Sequence, residues 1–171
     1  VDVEGGRFTF TLRQGHRWSD GHPFTAEDFR YYWEDVANEK ALSPDGPPAF
    51  FRVDDKLPTV EFLDAVTVRY TWDRPNPMFL PALAAPRDPL IYRPSHYLKP
   101  YHARHIGKDA ADAKAKALKL RSWAAPHNRL DDTYELTHPA SPTLQASVPR
   151  PRPPAPRFRL ERNRSYPRPH P

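Results

Sequence analysis

Between Arg7 and Ala37 the hydrophobic pattern passes from the period of a strand to that of a helix across one tight turn, and no other stretch restricts the fold as much. Arg7–Arg13 reads Arg-Phe-Thr-Phe-Thr-Leu-Arg, which places Phe8, Phe10 and Leu12 on one face of a half-buried strand. Gly15 and the Ser19-Asp20-Gly21 cluster supply turn chemistry on either side of Trp18. Thr25 then offers an N-cap with Asp28 as its capping-box partner, and Phe24 and Phe29 occupy the hydrophobic-staple positions. Phe29, Tyr32, Trp33, Val36 and Ala37 follow on one helical face, with Glu27, Arg30, Glu34, Asp35 and Asn38 opposite. A strand feeding a helix with an aromatic core face predicts a mixed α/β fold.

Beyond this unit the pattern weakens. Residues 43–58 read as a loop. Val60, Phe62, Val66, Val68, Tyr70 and Trp72 point one way if a single strand runs through Asp64; two short strands broken at Asp64 are the other reading. Met78–Ala85 is an apolar helix that must accommodate Pro81, Leu90-Ile91-Tyr92 a short buried strand, and Ser95 the cap of a brief helix interrupted at Pro100. Asp109–Trp123 predicts one helix capped by Asp109 and Asp112, with Ala113, Ala117, Leu120 and Ala124 along one side.

The chain holds 23 prolines in 171 residues, and its charge is equally uneven. Residues 149–171 carry seven arginines against Glu161, a net of +6, while the whole chain carries +5. The basic surplus therefore belongs to a tail and not to a folded face, which argues against nucleic acid as a partner. With so little apolar surface to offset an ordering cost of about 1–2 kcal/mol per residue, the tail is expected to be disordered or polyproline-like. Composition thus divides the chain into a folded part at 1–130, a weakly structured extension at 131–148 and the tail at 149–171.

Several chemistries are excluded or disfavoured. There is no cysteine, so thiolate nucleophiles, thiolate metal sites and disulfides are absent. No apolar run approaches the roughly 20 residues of a membrane span, and no leader pattern opens the sequence. No phosphate-binding glycine loop or Gly-x-Ser-x-Gly elbow occurs, so no catalytic residues and no cofactor are expected. His102 and His105 could share a helical face, but no third metal ligand follows at a suitable spacing and no metal is expected. Asp54-Asp55 and Asp131-Asp132 read as solvated loop pairs. Trp18 and Asp20 are the candidate ligand contacts, beside the plainer reading of a structural turn. Arg150-x-x-Pro153-x-x-Pro156 matches a polyproline ligand of SH3-type domains.

The run Phe8–Asp28, Phe-Thr-Phe-Thr-Leu-Arg-Gln-Gly-His-Arg-Trp-Ser-Asp-Gly-His-Pro-Phe-Thr-Ala-Glu-Asp, resembles a signature of the family 5 extracellular solute-binding proteins. Thr67–Pro77, Ile91–His105 and Glu161-Arg162-Asn163 are similar to later stretches of the same family, although the last continues here as Arg164-Ser165-Tyr166-Pro167. The resemblance implies a fragment of one lobe of a two-lobed, type II periplasmic-binding-protein-like fold, a peptide or similar small solute as ligand, and an ABC transporter permease as membrane partner. It also implies a periplasmic or extracellular site of action and hinge closure without bond chemistry. The alternative function is an interaction protein acting through its basic, proline-rich tail.

Overall fold

The computed structural model describes residues 5–85, 91–132, 141–150 and 159–166. The chain forms two compact units, Val1–Gln14 with Thr25–Arg93, and Gly15–Phe24 with Pro94–Pro171. Neither is a single stretch of sequence, unlike the serial boundaries at 130 and 148 expected from composition.

In the first unit, β1 (Arg7–Thr11) is followed by α1 (Ala26–Arg30), β2 (Thr59–Phe62), β3 (Thr67–Thr71) and α2 (Phe79–Leu83). The strands form an antiparallel sheet in the order β1-β3-β2. Its register sets Phe8 and Val60 on either side of Tyr70, and Phe10 and Phe62 on either side of Val68. Asp64 accepts the amide of Val66 at 2.8 Å and turns the chain, so the two-strand reading is the one realised. Phe79 is fully buried at the centre of the core, with ring centroids 4.8 Å from Trp72 and 5.2 Å from both Phe8 and Tyr70. Pro81 is tolerated because it lies in the first turn of α2, where its missing N–H has no helical acceptor.

The capping box at the start of α1 forms as the sequence predicts, with Thr25 accepting from the Glu27 amide and Asp28 accepting from the Thr25 amide. The helical stripe needs a correction. Tyr31–Ala37 is π-helical, and its wider turn buries Tyr31 and Asp35 completely alongside Tyr32, Val36 and Ala37. Asp35, expected on the solvent face, thus faces inward, 4.0 Å from the Arg30 guanidinium. The expected strand at 90–92 also does not form over its described residues. Ile91 is buried, but the chain here bonds to α1, through the Arg93 amide and the Asp28 carbonyl at 3.0 Å, and pairs with no neighbouring strand.

In the second unit α3 (Ser95–Leu98), α4 (Ala103–Ile106), α5 (Lys108–Ala117) and α6 (Ala124–Asp131) precede the antiparallel pair β4 (Ser147–Arg150) and β5 (Arg159–Arg162). The single helix expected at 109–123 is broken. Lys119 adopts a left-handed φ of 57°, and the Leu120 amide returns to the Ala115 carbonyl at 2.9 Å. Because α5 begins after Gly107 and not at an Asp109 cap, its buried side is Ala111 and Ala115 in place of Ala113 and Ala117.

Part of the stretch read as a tail is paired in the structure. Its anchors are Val148 and Asn163, both buried, which an inventory of residues 149–171 by apolar content could not register. Asn163 donates from its side chain to the Gln145 carbonyl at 2.9 Å, and its own amide reaches the Ala146 carbonyl at 2.8 Å. The SH3-type match falls largely on 151–158, outside the described residues.

Candidate functional site

The two sequence candidates, Trp18 and Asp20, lie on a hairpin-like turn at Gly15–Phe24 in the second unit. The amide of Trp18 bonds the His22 carbonyl and that of Gly21 bonds the Trp18 carbonyl, both at 2.9 Å. Gly21 holds a φ of 90°, where a side chain would strain the backbone. Trp18 is 3% exposed and meets Phe24 edge-on at 5.5 Å, so it is a packed side chain with little surface to offer a ligand. The structural reading of Trp18 is therefore the one its burial favours.

Asp20 is placed differently. One carboxylate oxygen accepts the His22 amide at 3.0 Å, closing the turn, and the other lies 2.8 Å from His96 Nε2 on α3. The His96 ring stacks on His22 at 3.8 Å with 6° between planes, and it lies 6.2 Å from the Trp18 ring. Burial acts to raise the Asp20 pKa, but the His22 amide and the His96 side chain outweigh it and hold the carboxyl below its ordinary range. Asp20 and His96 thus form an acid–imidazole pair, partly open to solvent.

Among the described residues the buried His96 Nδ1 has no hydrogen-bond partner. The parallel imidazoles present their in-plane lone pairs side by side, not converging on a point. Among the described residues no group of three or more His, Cys, Asp or Glu is placed to hold a metal ion. His102 and His105 meet edge to face at 5.4 Å, and His102 Nδ1 is already occupied by the Arg104 amide as the cap of α4. His102 is buried against Trp123 and His127, which is a packing role. Asp54 and Asp55 sit at the tip of the Val53–Lys56 turn with left-handed φ values of 49° and 60°.

Sequence reasoning missed His22 and His96, because a stack between the turn and α3 leaves no local periodicity. It also missed the far anchor of the turn, where the Ser19 amide bonds the Thr143 carbonyl at 2.9 Å and the Thr143 amide bonds Ser19 Oγ at 3.0 Å.

The sequence model for bacterial extracellular solute-binding proteins, family 5 middle region, matches residues 1–123. The chain belongs to this family. A curated relative, the periplasmic alpha-galactoside-binding protein of Rhizobium meliloti, is 34% identical over 107 residues, covering 61% of this chain and 15% of that protein. The periplasmic murein peptide-binding protein MppA of Escherichia coli is 35% identical over 85 residues, covering 43% of this chain and 16% of that protein. Among solved structures, an oligopeptide-binding protein OppA superimposes with a TM-score of 0.81 at 29% identity, covering 97% of this chain and 25% of that one. This family 5 chain therefore spans a small fraction of the length of its relatives. No helix among its described residues is long and apolar enough to cross a membrane.

Proposed function

We propose that the chain supplies part of one lobe of a peptide-binding component of an ABC importer, working in the periplasm with a membrane permease. The observation that carries this reading is the likeness to the oligopeptide-binding OppA structure, which extends over 97% of the chain. Coverage of only 25% of that structure supports the further point that solute binding needs residues beyond these 171. Peptide is favoured over sugar by MppA and OppA, although the relative from Rhizobium meliloti is named for alpha-galactosides.

A chimera tests this. The matched part of OppA is replaced by this chain, and oligopeptides and raffinose are titrated calorimetrically. A folded chimera that takes up oligopeptides is the expected result. One that folds and binds only raffinose, or neither ligand, would sink the proposal.

A further inference from the structure

Outside the Trp18–Asp20 turn, the second unit contains a basic groove between α5 and the returning segment Leu118–Trp123. It is open to solvent, with a volume of about 490 Å³. Its walls are held by a side-chain bond, because Asp112 on α5 accepts the Trp123 amide at 3.2 Å while also accepting Lys108 Nζ at 2.9 Å. The only acidic residue of the lining is therefore already engaged twice. Lys116 and Arg121, both exposed, also line the groove, and neither has an ion-pair partner among the described residues. Half-buried Leu120 and the edge of the largely buried Trp123 give the same groove some apolar surface.

We propose that this groove docks an acidic peptide segment of a partner protein, with an apolar side chain against Leu120 and Trp123 and carboxylates reaching Lys116 and Arg121. Charge complementarity argues for the acid, since two unneutralised cations face one engaged carboxylate. The volume and the half-buried Leu120 argue for a peptide over a lone oxyanion, which would fill little of the space and leave Leu120 wet. Neither point depends on which solute the family 5 fold takes up.

The test is fluorescence anisotropy on the full chain with a labelled peptide in which glutamates flank a leucine. Lys116→Glu/Arg121→Glu is expected to weaken binding by about tenfold or more, with Lys116→Gln/Arg121→Gln in between. Added sodium chloride should weaken it progressively, and a glutamine version of the peptide should not bind. The basic tail is the competing site, so Arg152→Gln/Arg157→Gln/Arg168→Gln serves as the control and should retain most of the affinity. Loss of binding in the tail variant with none in the groove variants would overturn the proposal. So would displacement of the peptide by inorganic phosphate but not by sodium chloride of equal ionic strength.

Discussion

Trp72 donates its indole Nε1–H to the backbone oxygen of Phe51 at 2.7 Å, inside the aromatic core of the first unit. The bond ties the residue after β3 to the loop before β2, a loop also held by the Asn76 side chain donating to the Phe50 carbonyl at 2.9 Å and by the exposed Lys56–Asp73 and Arg74–Asp54 ion pairs. Trp72→Phe keeps an aromatic ring but leaves the carbonyl without its donor. A loss of about 1–3 kcal/mol is expected from the unpaired acceptor, read as a lower urea midpoint at unchanged slope.

Tyr70 presents the opposite case. Its hydroxyl is buried with no hydrogen-bond partner among the described residues. Burial, with a smaller contribution from Tyr32, pushes its ionisation well above the ordinary value of 10.0. The unfolded chain therefore loses this proton first as pH rises, and stability falls above pH 10.0. Tyr70→Phe should cost little at neutral pH and should flatten that alkaline decline. Denaturant melts on both sides of pH 10.0 decide the matter, and an equally steep decline in the variant would exclude Tyr70 as its source.

At the turn the sign is reversed. The carboxyl of Asp20 titrates below its ordinary 3.8, so its contribution is present above that pH and is lost as pH falls through the lowered value. Asp20→Asn should make the second unit less sensitive to acid. Because Asp20 is 40% exposed, the effect should be modest and should shrink in salt. Unfolding midpoints across the acid range, with and without salt, measure it.

The cap at Thr25 gives a simpler expectation. Thr25→Ala removes the acceptor for the Glu27 amide and should cost about 1 kcal/mol, while Thr25→Ser should cost much less. Equal losses in the two variants would mean that the hydroxyl contributes nothing.

Asn163 permits a graded test. Its side chain donates to the Gln145 carbonyl and accepts the Ser165 amide at 2.9 Å in each case. Asn163→Ala removes these bonds together with a longer one from the same side chain to the Thr143 carbonyl at 3.4 Å, whereas Asn163→Asp sets a carboxylate against carbonyl oxygens. The aspartate should be the worse substitution, and exchange of the Ser165 amide should quicken in the alanine variant but not in the aspartate one.

What the sequence revealed was local. Thr25, Asp28, Phe8 and Gly21 each follow rules that act within a few residues, and each is found where those rules put it. Tyr31 and Asp35 escaped because the pattern assumes α-helical turns, and a π turn advances the face without changing composition. The break at Lys119 escaped because lysine carries no turn signal of its own. At the candidate site, Asp20 could be picked out from its turn, but His96 could not, since only the folded chain brings the two together.

The excursion of Gly15–Phe24 out of the first unit has a consequence for synthesis. A ribosome releases residues in order, so the turn emerges long before Thr143 and α3, its partners, exist. The last residue of the first unit, Arg93, emerges while this loop is still waiting for them. No single cut would yield either unit as one intact polypeptide, and a chain interrupted before α3 would carry a turn that is made but has neither of its moorings, His96 or Thr143.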